Sequence, residues 1–139
     1  MPRLADLRVG ARVAEQRETL DQARLLRYAG ASCDFNRLHW DTEFAARVSP
    51  TGGVVAHGML NLGILSGVVT AWAGGPERVR SLRATFRAAC PVGAVVSYGA
   101  EVVALDEAAN TATLSVWAEL PTGQRVIDRR TSRAVVSLD

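Results

Sequence analysis

The sequence predicts an α+β protein in which an antiparallel sheet packs against one long apolar helix. Two observations carry this expectation. Residues 54–73 read VVAHGMLNLGILSGVVTAWA, a mostly apolar stretch of helical length. After Pro76 the hydrophobic period changes from helical to the alternation of strands and keeps it to the C-terminus. Helices segregated from a run of strands are the pattern of an α+β layer architecture. With 139 residues, the chain fits a single domain, 1–139. A domain of that size buries roughly two thirds of its unfolded surface.

The elements follow in order. Residues 11–18 read as a polar, partly exposed first strand. Thr19 and Gln22 have capping-box spacing, so a helix is expected from there to about Ala29, with Gly30 as its stop. Leu25, Leu26 and Tyr28 are expected on its inward side. Residues 31–55 are loop-rich, with a turn of helix around 42–47. The apolar stretch forms a helix over 57–72, ended by Gly74-Gly75-Pro76. It is expected to be buried on nearly all sides. Gly63, Gly67 and Ala71 recur every four residues and form a stripe along which a neighbouring backbone can approach closely.

Strands come next. Leu82, Ala84, Phe86, Ala88 and Cys90 alternate with Arg83, Thr85 and Arg87. Turns are expected at Pro91-Val92-Gly93, at 106–110 and at Pro121-Thr122-Gly123. They separate strands over 94–105, 111–120 and 124–138. The expected topology is an antiparallel meander of these four strands.

Composition narrows the function. Sixteen basic residues, all arginine, against fourteen acidic ones give a net charge of +2, too small an excess to indicate a nucleic-acid partner. The 54–73 stretch is as long as a bilayer core requires and carries Gly63-x-x-x-Gly67. It also holds His57, Asn61, Ser66 and Thr70 and has no close basic flank, so it reads as a helix inside a soluble domain, with no membrane partner. The N-terminus lacks the apolar run of a signal peptide, which points to the cytoplasm. Cys33 and Cys90 are expected as buried free thiols. Trp40, Trp72 and Trp117 are expected as packing residues. No cluster has metal-ligand spacing and no glycine-rich phosphate loop is present, so no metal or cofactor is expected.

The two histidines carry the chemistry. Asp34-Phe35-Asn36-Arg37-Leu38-His39 sets three polar side chains within a loop-like segment. Asp34 and His39 would lie about 140° apart on a continuous helix, so they converge only if the chain bends. Together they form a general acid–base pair, since each biases the other's proton occupancy. Spacing alone leaves open a turn capped by Asp34 or Asn36, with His39 satisfied nearby. His57-Gly58 opens the long helix, where unpaired N–H groups and the positive dipole end can polarise a carbonyl. A plain helix cap explains the same two residues.

Residues 28–41, YAGASCDFNRLHWD, resemble the signature of the MaoC-like, or R-specific, hydratases and dehydratases: aspartate, any residue, asparagine, proline, any residue, histidine. Val55-Ala56-His57-Gly58-Met59-Leu60 resembles the family's second signature, at the start of its central helix. The likeness covers nearly the whole chain. It extends to the B-subunit type of mycobacterial (3R)-hydroxyacyl-ACP dehydratase, through His39-Trp40-Asp41, His57-Gly58-Met59-Leu60 and Val69-Thr70-x-Trp72-x-Gly74.

The resemblance implies a hot-dog fold, an antiparallel sheet wrapped around a long central helix. It implies that Asp34 and His39 hold and activate water, or in dehydration take the α-proton and protonate the leaving hydroxyl. Asn36 would orient the pair, and the Gly58 N–H beside His57 would stabilise the thioester enolate oxygen. The substrate would be an acyl thioester on acyl carrier protein (ACP) or CoA, with no metal or redox cofactor. The partner would be a second copy, or a hot-dog subunit lacking the dyad. Two positions depart from the pattern: Arg37 replaces the signature proline, and Thr85 replaces an arginine common in relatives. Arg37 either leaves the loop looser or points out to a phosphate or partner.

Arg78, Arg80, Arg83 and Arg87 crowd one strand region. Arg78 and Arg80 are candidates for contact with a carrier phosphate or with acidic ACP, and a solvated sheet face is the favoured explanation of the group. Two rival readings remain: a hot-dog thioesterase and a non-catalytic stabilising subunit. The retained Asp34/His39 signature argues against both.

Overall fold

The computed structural model describes residues 2–139. Its elements are β1 (Arg12–Thr19), α1 (Gln22–Ser32), α2 (Thr42–Val48), α3 (Gly58–Ala73), β2 (Val79–Arg83), β3 (Val95–Asp106), β4 (Thr111–Glu119), β5 (Arg125–Ile127) and β6 (Arg133–Ser137). The antiparallel sheet runs β1-β3-β4-β6-β2, with β5 pairing with β4. Helix α3 touches all six strands. A curved sheet wrapped around one central helix is the hot-dog fold.

The core is built by alternation. Val96, Tyr98, Ala100 and Val102 of β3 and Ala112, Leu114, Val116 and Ala118 of β4 turn one face toward α3, and all are buried. Leu60, Leu65, Val68 and Val69 meet them from the helix. Among the described residues, no helix is long and apolar enough to cross a membrane.

Several expectations need correction. α1 is capped by Asp21, whose Oδ1 accepts the Arg24 N–H at 2.7 Å; Thr19 stays in β1, paired with Val95. The helix passes Gly30 and stops at Cys33, which takes the left-handed conformation at φ 57°. Leu26 is exposed, because the helical period turns Leu25 and Ala29, one turn apart, to the core. Cys33 is exposed as well, and only Cys90 is a buried thiol.

The sheet is not a simple meander. β2 ends at Arg83 and pairs with β6 at the far edge. Phe86 then makes only an isolated bridge to Ile127. The last predicted strand is broken at Asp128, whose Oδ1 accepts the Arg130 N–H and whose carbonyl accepts from Ser132. Such an Asx turn competes with the ladder. Helix α3 is not buried all round: Met59, Gly63, Gly67 and Ala71 form an exposed stripe. A Cβ built at Gly63 or Gly67 meets nothing within 4 Å, so the small residues do not serve close packing inside the chain. Trp40 is 40% exposed, while Trp117 is buried.

Candidate active site

The bend that Asp34 and His39 require is made by two local devices. Cys33 ends α1 in the left-handed region, turning the chain at once. A 3-10 turn, Arg37–His39, follows, capped by the Asn36 side chain, which accepts the Leu38 N–H at 3.0 Å. The Asn36 carbonyl also accepts the His39 N–H. Asn36 therefore shapes the turn that carries His39, and does so through the backbone.

This turn is zipped to the segment before α3. The Val55 N–H donates to the Leu38 carbonyl, and His39 Nδ1 lies 2.7 Å from the Val55 carbonyl. On its other side that segment pairs with residues 90–92, Ala56 N–H to the Cys90 carbonyl and Val92 N–H to the Val54 carbonyl. The 34–39 loop and the start of α3 are thus fixed to one frame.

The result brings together Asp34, His39, His57 and Gly58. Asp34 Oδ2 stands 3.9 Å from His39 Nε2, with the Asp34 side chain half-exposed and His39 largely buried. A carbonyl only accepts, so His39 Nδ1 carries the proton shared with Val55, and Nε2 faces Asp34 with its lone pair when the ring is neutral. At 3.9 Å the two atoms are too far apart for a direct hydrogen bond and can both address one small oxygen species.

His57 is the N-cap residue of α3, 1% exposed, and its ring makes no cap hydrogen bond. Its ring stacks on His39 with centroids 3.8 Å apart and meets Tyr28 edge-on at 4.8 Å. Nε2 donates to the Asp34 carbonyl at 3.2 Å, which leaves Nδ1 a buried acceptor with no partner. Burial holds the His57 pKa below the usual imidazole value, the carbonyl bond opposes this, and the neighbouring His39 lowers it further.

Gly58 is exposed and is the first residue of α3, so its N–H has no acceptor within the helix. A Cβ at Gly58 would sit 3.4 Å from the Phe86 ring, which roofs this spot. Tyr28 and Leu60 also line an open surface groove of about 480 Å³, together with Thr19, Asp21, Arg24 and Arg27.

One ligating atom each of Asp34, His39 and His57 lies within 4.8 Å of the others. The donor set fits a metal poorly. The two rings are near parallel, 24° apart, so their in-plane lone pairs point side by side and do not converge on a tetrahedral centre.

Arg78 and Arg80 are not brought to this site. They follow the C-terminal end of α3, a helix of 16 residues and about 24 Å that has Gly58 at its other end. Arg78 pairs with Asp139 at 2.6 Å, and Arg80 donates to Ser137 Oγ. Arg37 lies across the loop and does not point away from it. Its Nε and a terminal nitrogen both reach Asp41 Oδ2, at 3.0 and 2.7 Å, and its guanidinium lies over Phe44.

Sequence reading missed Tyr28, Phe86 and the Val55 carbonyl. Tyr28 reads as a packing residue of α1 and Phe86 as a strand residue, so neither gives a chemical signal, and a backbone acceptor has none.

A carboxylate and an imidazole 3.9 Å apart beside the N-terminus of the central helix place this chain among hot-dog domains that carry a polar site at that helix end. The family described as MaoC like domain matches residues 8–119, and the chain belongs to that family. Nodulation protein N of Rhizobium meliloti (strain 1021) is 46% identical over 48 residues, which are 34% of this chain and 30% of that protein, so the match spans under a third of the relative. The (R)-hydratase from A. caviae involved in PHA biosynthesis is similar at 30% identity and TM-score 0.84, over 96% of this chain and 98% of that one. The ChsH1-ChsH2 complex from Mycobacterium tuberculosis contains a chain of the same fold, 22% identical, with TM-score 0.80 over 95% and 98% of the two chains.

Proposed function

We propose that this chain is a (3R)-3-hydroxyacyl-thioester dehydratase, and equally an R-specific enoyl-thioester hydratase. It acts in the cytoplasm on ACP-linked chains in fatty-acid elongation. The observation that carries this reading is the 3.9 Å gap between Asp34 Oδ2 and His39 Nε2 beside the open N-terminus of α3. Membership of the MaoC-like family supports it.

In hydration, a water molecule occupies the gap and gives a proton to the pair as its oxygen bonds to C3 of the enoyl chain. The electrons move to the thioester oxygen, held by the Gly58 N–H and the helix dipole. The enolate then collects a proton at C2. Dehydration is the reverse: the pair removes the C2 proton and protonates the departing hydroxyl. Positioned acid–base groups of this kind contribute ~10²–10⁴-fold. The exposed stripe of α3 and the open edges at β1 and β2 suit a second hot-dog subunit, a copy or a dyad-less homologue. The two-chain ChsH1-ChsH2 complex supports such assembly.

The test is hydration of crotonyl thioesters on CoA and on ACP, followed by loss of the enoyl absorbance. Asp34→Asn and His39→Gln should each lower the rate by ~10²–10⁴-fold and leave thermal unfolding nearly unchanged. Full activity in both variants sinks the dyad, and faster turnover on CoA than on ACP reassigns the carrier.

A further inference from the structure

The Gly58 N–H belongs to the same peptide group as the His57 carbonyl. That group is planar and trans, so the two bonds point in opposite directions and turn together. Whatever holds the carbonyl aims the N–H. The His57 carbonyl is held from inside the protein by Asn61, through its backbone N–H at 3.3 Å and through its side-chain Nδ2 at 3.2 Å. The Asn61 side chain is itself fixed, because Tyr98 donates its hydroxyl to Oδ1 at 2.7 Å. Asn61 and Tyr98 are both completely buried.

This arrangement is costly unless it has a use. The backbone bond from Asn61 to His57 is the ordinary first bond of the helix and needs no side chain. A leucine or valine at 61 with a phenylalanine at 98 would fill the core without side-chain polar atoms to satisfy. The tyrosine hydroxyl stays protonated, because burial pushes its pKa up, so it serves as a fixed donor. Donation to a carbonyl also polarises the amide and strengthens its N–H as a donor at the other end.

We propose that Asn61 and Tyr98 are positioning residues that aim and strengthen the Gly58 N–H as the oxyanion donor, acting through the planar 57–58 peptide. The inference rests on the functional reading above, in which that N–H receives the thioester oxygen. Neither residue touches substrate, so both act on kcat and leave KM nearly unchanged.

The experiment uses Tyr98→Phe, which removes only a hydroxyl, and the isosteric pair Asn61→Val and Asn61→Thr. A threonine hydroxyl on a helix can donate to the carbonyl four residues back, and valine cannot. Three quantities are read: kcat and KM for enoyl-thioester hydration, the unfolding temperature, and the absorption of a bound dimethylaminocinnamoyl-CoA, whose red shift reports polarisation of the thioester carbonyl. In Tyr98→Phe and Asn61→Val we expect kcat to fall about tenfold, less than the ~10²–10³-fold typical of deleting an oxyanion donor outright. KM should move less than about twofold in the same variants, since uniform binding is intact. The red shift shrinks in both, and Asn61→Thr restores rate and shift. Asn61→Val combined with Tyr98→Phe, which leaves no buried hydroxyl without an acceptor, keeps the unfolding temperature while it loses rate, which a purely structural role does not produce. Equal kcat and equal red shift in wild type, Tyr98→Phe and Asn61→Val overturn the inference. A wild type that neither turns over enoyl thioesters nor shifts the probe overturns the functional reading and this inference with it, so the two failures are told apart.

Discussion

The imidazoles of His39 and His57 lie face to face, with centroids 3.8 Å apart and 24° between their planes. Two rings so close do not both carry a proton without repulsion, and burial makes His57 the one that stays neutral. Its folded pKa is therefore below the value it has in the unfolded chain, near 6.5. The sign follows from linkage: just below pH 6.5 the unfolded chain binds more protons at this site than the folded one, so stability rises with pH there. The contribution is fully present above about pH 6.5 and is lost as pH falls toward the folded pKa. We expect urea midpoints to fall between pH 7 and 5 in wild type, and to fall less in His57→Gln. Identical slopes in the two proteins would show that His57 is not the group responsible.

Arg37 stands where the family signature has proline, yet the loop is not left loose. Its guanidinium binds Asp41 twice and covers Phe44, which ties the 3-10 turn to α2. The Asp41 carboxyl is held below the usual range, first by the Phe44 N–H and then by Arg37. Proline would stiffen the same turn by a different route: Asn36 already has ψ 127°, as a residue before proline prefers, and position 37 opens the turn. Arg37→Ala should therefore lower kcat several-fold by loosening the turn under His39. Arg37→Pro should recover most of it, with a stability gain of about 0.4–1 kcal/mol relative to the alanine variant. If Arg37→Pro is as slow as Arg37→Ala, stiffness of this loop is not what Arg37 supplies.

Much of this site was legible because its signals are local. The apolar run and its Gly-Gly-Pro stop marked α3, and His57-Gly58 therefore fell at its start. Asp34 and His39 share one short motif. What stayed hidden depends on partners distant in sequence. Alternation in residues 82–90 gives the faces of a strand but not its neighbour, so the pairing of β2 with β6 was not readable. The Gly63/Gly67/Ala71 stripe scores as apolar whether it faces the core or solvent, and it faces solvent. Tyr98 and Asn61 are 37 residues apart and on different elements, so their bond had no pattern to reveal it.

On the sheet face, Gly99 of β3 lies directly opposite Trp117 of β4, and the indole occupies the space a side chain would take. A Cβ at 99 would overlap the indole ring. Arg129 covers that ring at 4.5 Å and pairs with Glu101 at 3.0 Å, so the indole has little room to retreat. Gly99→Ala should destabilise by about 1–3 kcal/mol, as overpacking does. Combined with Trp117→Ala it should cost less than the sum of the two single changes, by a coupling of roughly 0.5–3 kcal/mol. Strict additivity in chemical denaturation would mean that the glycine is not there for the indole.

The two cysteines should separate cleanly by reactivity. Cys33 is exposed at the end of α1, next to Asp34. Cys90 is 2% exposed, and burial pushes its thiol up to about 11, so almost none of it is thiolate at neutral pH. A maleimide added to the native protein should therefore add one group, at Cys33, and in denaturant two, as read by mass spectrometry. Because the adduct stands beside Asp34, the proposed acid–base carboxylate, the singly labelled protein should lose most of its hydration rate while its unfolding temperature changes little. Cys33→Ser should keep its rate under the same treatment. Labelling of both thiols at similar rates in the native protein would contradict the packing around Cys90, and full activity after labelling at Cys33 would mean that substrate reaches Asp34 from another side.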